Sequence, residues 1–419
     1  MSTTELAPAF FLALIVILVV CRLVGRLLRA AGQPPVVGEM VAGVVLGPSV
    51  LGLLAPGAEA FVFPPQLRPV LYVVGQIGLV VFMFQAGYEF RTERVRRVAR
   101  SASVISTAGM LAPLVMGAVL AWLAVGRVHI FASRVPVFVS ALFVGVTLAI
   151  TAFPMLARII TERGLTGTRF GSVALACGAL DDAVAWVLLA AVLSIAAGSA
   201  GPVSIAVGGT LIFAAVLLGV VRVRGRFTPA AQRSAPEHLL LVLVVVLFLF
   251  AWYTDKIGLY AVFGAFSLGV VFPRVDAVDR AVATIAPVGT VFLPLFFTYS
   301  GLNTDFGLLV RPDVLVFTVA AVVVAVAGKF GACWAAARLV GEPNAIALRI
   351  GTLMNARGLM QLIAINVGLA AGIVTRELFS VLVVVAIVTT MMATPLLRLW
   401  DRRALEPGES TEITEPATR

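Results

Sequence analysis

Two adjacent aspartates, Asp181 and Asp182, lie in the middle of an otherwise apolar stretch, CGALDDAVAWVLLA (Cys177–Ala190). Successive residues of an α-helix point about 100° apart, so the two carboxylates face different surroundings. If this helix enters a bilayer near Phe170, Asp182 lies about 18 Å deep, near the centre of a core about 30 Å thick. Because burial disfavours the charged form of a carboxyl group, a proton and a hard cation can compete for such a site.

Two basic residues, Lys329 and Arg357, also fall inside apolar segments. An ionisable group there costs at least about 2.5–3.5 kcal/mol, so it needs a partner or a wet cavity. An ion pair with Lys329 that only holds helices together would account for one aspartate. It leaves the second aspartate unexplained, which favours a functional role. Arg357 is interpreted as a structural counter-charge for local backbone or for a carboxylate.

Two apolar segments have the features of interrupted helices. The first, VGVTLAITAFPMLARII (Val144–Ile160), contains Pro154, which lacks a backbone donor, and the hydroxyls of Thr147 and Thr151 near the gap. Pro154 alone would indicate only a kinked helix. The second segment, GTLMNARGLMQLIAIN, is too polar for a lipid-facing helix because it contains Asn355, Arg357, Gly358 and Gln361. Interrupted helices at corresponding places in two halves of a membrane protein point to a transport site.

The elements that must position these residues are helices. The chain has 419 residues, of which 61% are hydrophobic and 12% charged, whereas soluble domains are about 45–50% apolar and about 25% charged. Recurrent long apolar runs predict an all-α polytopic membrane protein with 13 transmembrane helices. The predicted spans are 8–29, 34–54, 68–90, 101–126, 136–160, 170–198, 203–222, 237–254, 257–273, 282–302, 313–339, 346–372 and 376–399.

The placement of the basic residues explains the net charge of +10 without a nucleic-acid partner. With the N-terminus outside, 23 of the 31 basic residues fall on the cytoplasmic side and six fall outside. The positive-inside rule therefore predicts a multi-pass protein of the cytoplasmic (inner) membrane with its N-terminus outside and its C-terminus inside. Residues 401–419 are predicted to be a short, disordered cytoplasmic tail.

An internal echo relates the two halves of the chain. VVGEMVAGVVLGP (Val36–Pro48) resembles AVFGAFSLGVVFP (Ala261–Pro273), and FMFQAGYEF (Phe82–Phe90) resembles FFTYSGLNTDF (Phe296–Phe306). Both pairs are seven predicted spans apart, and so are the two interrupted segments. Because an odd offset reverses orientation in the membrane, the echo predicts inverted repeats, which are typical of secondary transporters.

Five motifs together resemble the monovalent cation/proton antiporters. The resemblance is specifically to their second branch, which includes bacterial sodium/proton antiporters, Kef-type proteins and plant cation/proton exchangers. It implies the sodium/proton antiporter fold, with inverted repeats and two crossing discontinuous helices. The motifs are GALDDAVAWVLLA, ITAFPMLARII, PLFFTYSGLNTDF, GKFGACWAAARL and NARGLMQLIAINVGL.

The resemblance also implies a division of the helices and a homodimer. Helices 1–3 (residues 1–100) and helices 8–10 (residues 237–306) would form a dimerising scaffold. Helices 4–6 (residues 101–200) and helices 11–13 (residues 307–400) would form a core. Helix 7 and the loop after it (residues 201–236) would link the two.

Residue by residue, Asp182 matches the carboxylate that binds the ion and the proton in this family. Asp181 matches the preceding position, which is acidic in electrogenic members and often Asn in electroneutral ones. Lys329 matches the lysine that pairs with that acid. Around the two aspartates, the other residues expected to hold the transported Na⁺ or K⁺, or to support the discontinuous helices, are Thr151, Thr147, Pro154, Asn355, Arg357 and Gln361.

The expected function is exchange of a monovalent cation, Na⁺ first and K⁺ second, for protons by alternating access. No enzymatic activity is expected, and no cofactor beyond the transported ions. A K⁺ efflux channel or uncoupled pathway and a sodium-coupled organic solute symporter are the alternatives. An intramembrane aspartyl protease is disfavoured because its aspartates would lie on facing helices, whereas Asp181 and Asp182 are adjacent.

Overall fold

A computed structural model describes residues 3–90, 92–165, 168–198, 200–233 and 235–404. Within these ranges the side chains of some residues are not described, namely 3, 4, 92–97, 154, 158, 161, 162, 183, 197, 200–207, 226, 227, 230, 231 and 402–404. The described chain is almost wholly helical, and its one β pairing is an isolated bridge between Phe131 and Val374. The predicted tail from residue 405 onward lies outside the described residues.

The helices of the first half begin with α1 (Thr3–Ala30), α2 (Pro35–Leu46), α3 (Pro56–Val62) and α4 (Arg68–Glu89). They continue with α5 (Thr92–Ala124), α6 (Val137–Ala149), α7 (Phe153–Glu162), α8 (Arg169–Ala197) and α9 (Ala200–Arg233).

The second half contains α10 (Pro236–Lys256), α11 (Ala261–Val271), α12 (Asp276–Leu302), α13 (Pro312–Val326) and α14 (Ala332–Leu339). It ends with α15 (Asn344–Met354), α16 (Gly358–Ala370) and α17 (Arg376–Ala404). Two π-helical turns, Pro48–Gly52 and Ala327–Gly331, and two short 3₁₀ turns, Pro65–Leu67 and Phe306–Leu309, complete the described elements.

The count of thirteen transmembrane helices is not confirmed. Each predicted span falls on a helix or on a pair of helices, but eleven described stretches are long and apolar enough to cross a bilayer. The other two spans contain the shorter apolar helices Val137–Ala149 and Ala261–Val271. At about 1.5 Å per residue, helices of this length cover only about 16–20 Å, less than a bilayer core of about 30 Å.

Both predicted interruptions are present, and they meet. The chain leaves helical geometry between α6 and α7 and again between α15 and α16. The backbone N–H of Ala152 in the first gap donates to the carbonyl of Ala356 in the second, with an N–O distance of 3.2 Å. Pro154 is the second residue of α7, where a missing N–H removes no intrahelical bond. Its side chain lies outside the described residues.

Four glycines let helix backbones of the two halves cross in contact. A Cβ on Gly43 in α2 would lie 2.2 Å from the carbonyl oxygen of Phe297 in α12. A Cβ on Gly301 in α12 would lie 1.9 Å from the carbonyl oxygen of Gly43. Likewise, a Cβ on Gly269 in α11 would lie 3.0 Å from the carbonyl carbon of Gly87 in α4. Gly43 and Gly269 share one position of the internal echo, and Gly87 and Gly301 share another. The echoed motifs therefore form matching crossings.

The Gly43 crossing supports a stability prediction. Replacing Gly43 by Ala places a methyl group against backbone that cannot turn away, so we expect a loss of about 1–3 kcal/mol. Gly219→Ala is the control, because a Cβ at Gly219 in α9 meets nothing within 4 Å. The measurement is the apparent Tm of the purified protein in detergent. Equal Tm values for the two variants would contradict the close crossing.

Candidate functional site

Asp181 is the best-satisfied carboxylate of the site. The ammonium Nζ of Lys329 lies 2.6 Å from its Oδ2, and the hydroxyl of Thr151 lies 2.7 Å from the same oxygen. Ser106 of α5 donates to Oδ1. Asp181, Lys329 and Thr151 are each 0% exposed, so the negative charge has three donors and no solvent. Asp181 and Lys329 therefore form a buried ion pair whose carboxylate is fully hydrogen-bonded.

Lys329 is positioned by an irregularity in its own helix. It lies in the π-helical turn Ala327–Gly331 between α13 and α14. Besides Asp181, its Nζ donates to the carbonyl oxygen of Ala149 at 2.6 Å. Ala149 is the last residue of α6, where carbonyls lack intrahelical partners and the helix dipole favours a positive charge. The first interruption thus provides an acceptor for Lys329.

Asp182 has few partners although it is only 4% exposed. Its Oδ1 accepts one long hydrogen bond, 3.5 Å, from the backbone N–H of Phe153. Its Oδ2 is buried and has no hydrogen-bond partner among the described residues. Phe153 begins α7, so the positive end of that helix dipole faces the carboxylate. An incompletely satisfied carboxylate next to a helix end can take up a proton or a cation.

The meeting point of the interruptions supplies further oxygen atoms. Thr151 Oγ1 lies 3.3 Å from the carbonyl of Met354, the last residue of α15, as well as next to Asp181. The Oδ1 atom of Asn355 is buried and has no hydrogen-bond partner in the part of the chain that the structure describes. Thr147 is not brought to the carboxylates, because its hydroxyl donates to Val144 within α6 at 2.9 Å. Its predicted place in the cation site is not supported by this geometry, since a Thr inside a helix can bond back to its own turn.

Arg357 and Gln361 lie at the second interruption and are each 0% exposed. The Nη2 of Arg357 donates to the carbonyl of Ala325 at 2.7 Å, next to the π-helical turn that carries Lys329. Its Nε and Nη1 have no partner among the described residues. Gln361 donates to Leu382 at 3.4 Å while its Oε1 stays without a partner. Arg357 therefore contacts backbone rather than a carboxylate.

Aromatic side chains close the site on two sides. Phe153 stacks edge-on against Phe90 and Phe266, with ring centroids 5.1 and 5.2 Å apart. One turn beyond Asp182 on α8, Trp186 lies against Tyr260, with centroids 5.3 Å apart. Phe90 directly follows α4, Tyr260 directly precedes α11 and Phe266 lies within α11, so these contacts join α7 and α8 to the end of α4 and the first half of α11.

A cavity of about 340 Å³ lies on the Tyr260 side of the site. It opens between α4, α11, α12 and α16, and its polar lining includes Tyr72, Gln76, Asp255, Tyr299 and Asn366. The cavity does not reach Asp182, because Asp182 is not among its lining residues.

Comparison with known families identifies this arrangement. The family model described as "Sodium/hydrogen exchanger, transmembrane" matches residues 13–399. The chain belongs to this family. It is therefore a multi-pass membrane protein of the sodium/hydrogen exchanger family, as its motifs predict.

Individual relatives of this exchanger family agree. The chain is 36% identical over 393 residues to a protein of Synechocystis sp. named Na⁺/H⁺ antiporter NhaS4, covering 92% of this chain and 95% of that one. It is 32% identical to Cation/H⁺ antiporter 17 of Arabidopsis thaliana, covering 96% of this chain but 49% of the plant protein. The chain thus spans about half the length of that plant relative.

Solved structures support the fold. The sodium proton antiporter MjNhaP1 of Methanocaldococcus jannaschii, in a structure at pH 8, superposes with a TM-score of 0.63 at 14% identity over 95% of this chain and 97% of that one. An electron-microscopy structure of the same antiporter superposes with a TM-score of 0.70 at 13% identity, covering 98% of this chain and 100% of that one. The exchanger-family chain therefore has the sodium/proton antiporter fold.

Sequence reasoning missed two groups of the site. Ser106, which binds Asp181, comes from a segment with several hydroxyl residues, SASVIST (Ser101–Thr107), where none stands out. The carbonyl of Ala149, which accepts from Lys329, has no side-chain signal at all. Its position just before a break in a predicted helix is the cue, because helix ends leave carbonyls without partners.

The Lys329–Asp181 pair supports a second stability prediction. Lys329→Met leaves Asp181 buried without its cation, so we expect a loss of about 3–5 kcal/mol, seen as a lower apparent Tm. The double variant Asp181→Asn with Lys329→Met removes both charges and should regain most of that loss. Lys256→Met, at the exposed end of α10, is the control and should leave the Tm unchanged. A double variant no more stable than Lys329→Met would contradict the pairing.

Proposed function

We propose that this protein exchanges a monovalent cation for protons across a membrane by alternating access, with Asp182 as the shared binding site. The observation that carries the proposal is a membrane-embedded carboxylate with one long hydrogen bond and one free oxygen. It lies where two interrupted helices meet, which is the usual place of a binding site in secondary transporters. The names of the relatives, Na⁺/H⁺ and Cation/H⁺ antiporter, agree.

Competition at one carboxylate couples the two fluxes. A proton or a cation can neutralise Asp182, but both cannot do so together. Oxygen atoms near the crossing, from Thr151, Asn355 and backbone carbonyls, suit a hard cation such as Na⁺ or K⁺. Pro154, Arg357 and Gln361 support the two interruptions rather than the ion. Thr147 would join the site only if its hydroxyl left Val144.

The Lys329–Asp181 pair sets the charge that crosses the membrane in each cycle. Cation binding at Asp182 adds positive charge next to Lys329, which favours release of the pair, and cation departure favours its return. A lysine that gives up its proton in the cation-bound state would carry a second proton. We infer an exchange of two protons for one cation, which is driven by membrane voltage.

The contacts support a division into a moving core and a scaffold. α5–α8 and α13–α17 enclose the two aspartates, whereas α1, α2, α4 and α10–α12 pack on one another through the glycine crossings. We propose the first group as the core, the second as the scaffold and α9 as the linker. The matching crossings of Gly43 with Gly301 and Gly87 with Gly269 support inverted repeats.

Orientation and assembly are further parts of the proposal. The excess of basic residues at one side supports an N-out, C-in topology in the cytoplasmic membrane. Exposed apolar side chains on α1, such as Phe11, Ile15 and Leu27, suit contact with lipid or with a second copy of the chain. A homodimer through the scaffold is the expected assembly.

Asp182→Asn tests the ion site. The variant should fold, because one oxygen of Asp182 has no partner to lose, but cation-driven proton movement should fall to the level of empty liposomes. Proteoliposomes with a pH-sensitive dye, given Na⁺ and K⁺ gradients in turn, provide the measurement. Asp313→Asn, outside the site and paired with Arg311, is the matched control. Unchanged exchange in Asp182→Asn would refute the site, and cation flux without proton movement in the wild type would indicate a channel.

The role of the ion pair in voltage dependence is tested separately. The wild-type exchange rate should change with membrane voltage, since one net charge moved through 100 mV corresponds to about 2.3 kcal/mol. In the Asp181→Asn, Lys329→Met double variant, the remaining exchange should be independent of voltage. Lys256→Met should keep the wild-type dependence. Voltage-dependent exchange in the double variant would contradict the proposed role.

A further inference from the structure

A second cavity, of about 310 Å³, has neither aspartate in its lining. It is enclosed by the turn between α1 and α2, the end of α7 and the last part of α17. Its polar lining consists of Arg29, Gln33, Arg163, Thr394 and Arg398. Three arginines therefore converge on one cavity, which the mechanism above does not use.

The three guanidinium groups lack a carboxylate of their own. Among the described residues, no ion pair joins Arg29, Arg163 or Arg398 to an acid. Burial, and after it the charge of Arg398, lowers the pKa of Arg163, which lies in the turn after α7. The acid that counters this effect, Asp401, is held by Arg349 at 3.1 Å. The positive charges of Arg163 and Arg398 therefore lie close enough to repel one another.

Two buried polar groups on the cavity wall also lack partners. Thr394 is 1% exposed, and its hydroxyl has no hydrogen-bond partner among the described residues. Gln33 is 7% exposed; its amide nitrogen donates to Met391 at 3.0 Å, and its Oε1 has no partner. Buried polar groups are normally satisfied by protein, water or a ligand, so these two groups can bond to a molecule bound at this wall. The hydroxyl offers a donor and the amide oxygen an acceptor for a ligand hydroxyl.

We propose that this cavity binds a phosphate group. Guanidinium forks match phosphate oxygens in pairs, and three forks exceed what the two oxygens of one carboxylate can accept. Thr394 donates to a further phosphate oxygen, and Gln33 accepts from a hydroxyl on the ligand. The phosphate belongs either to an anionic lipid headgroup or to a soluble phosphate compound, and the two sources share this chemistry.

The cavity lies between elements that we assign to different moving parts. Gln33 and Arg29 belong to the scaffold side, whereas Arg163, Thr394 and Arg398 belong to the core side. A bound phosphate that contacts both would hold them together and slow exchange. This effect rests on the proposed function, but binding itself does not, so the two can fail independently.

The test measures binding to the purified full chain without any transport assay. The apparent Tm of the protein in detergent is measured at increasing concentrations of inorganic phosphate, and chloride keeps the ionic strength constant. The apparent affinity should fall about a hundredfold or more in the double variant Arg163→Gln, Arg398→Gln, because two charge-assisted contacts to the phosphate are lost. Arg222→Gln, Arg224→Gln removes the same charge from exposed positions of α9 and should respond as the wild type does.

A second arm distinguishes the source of the phosphate. Apparent Tm is compared in nanodiscs of phosphatidylcholine alone and with added phosphatidylglycerol. If inorganic phosphate stabilises the wild type but not the double variant Arg163→Gln, Arg398→Gln (the cavity variant), the ligand is a soluble phosphate compound. If only phosphatidylglycerol stabilises the wild type, and the cavity variant loses this stabilisation, the ligand is a lipid. No stabilisation in either arm, or equal stabilisation of the cavity and α9 variants, would overturn the proposal.

A milder variant covers the case in which the arginine variant does not fold. Thr394→Val keeps the charge and the volume but removes the unpartnered hydroxyl. Its response to the stabilising ligand should weaken several-fold, while its Tm without ligand should not fall, because no existing hydrogen bond is lost. An unchanged response would count against the site.

Discussion

The ion pair between Lys329 and Asp181 is the constraint on which the rest of this structure depends. Both side chains are 0% exposed, with the charged atoms 2.6 Å apart. The attraction between two buried charges offsets the cost of their desolvation only if their remaining donors and acceptors are also hydrogen-bonded. Ser106, Thr151 and the carbonyl of Ala149 meet this condition. An unbroken α6 would supply neither that carbonyl nor Thr151 in its present position.

The neighbouring carboxylate shows the opposite condition. Asp182 has one long contact and an oxygen without a partner, only one residue away from a fully satisfied acid. Because adjacent residues on a helix point in different directions, one helix can present both conditions at the same depth. The satisfied acid bonds to α5, to Thr151 and to the π-helical turn, whereas the other carboxylate keeps hydrogen-bonding capacity that no described residue uses. The two aspartates are therefore structurally unequal although they are identical in the sequence.

The parts of this architecture that sequence reasoning reached are those with a side-chain signal. Asp181, Asp182, Lys329 and Arg357 are conspicuous because ionisable groups are costly in apolar segments. Proline and polar residues predict both interruptions, and the family resemblance implies that the two interrupted helices cross. Neither predicts the hydrogen bond between Ala152 and Ala356.

The rest left no such signal. A backbone acceptor such as the Ala149 carbonyl is present in every residue, so the sequence does not mark it. A threonine such as Thr147 can bind an ion or bond to its own helix, and the sequence does not distinguish the two. Helix length also escaped prediction, because α11 begins only at Ala261, whereas the predicted span begins at residue 257. Tertiary contacts decide each of these features, and a local pattern does not record them.

The π-helical turn at Ala327–Gly331 has a consequence for the lineage of this chain. A turn closed by i→i+5 bonds holds one residue more than an α-helical turn, as if a single codon had been inserted. Losing that residue would restore a regular helix and rotate everything on one side of it by about 100°. Lys329 and the buried side chains of α14 could not then both keep their present contacts. Single-residue insertions and deletions in this stretch should therefore be selected against more strongly than substitutions.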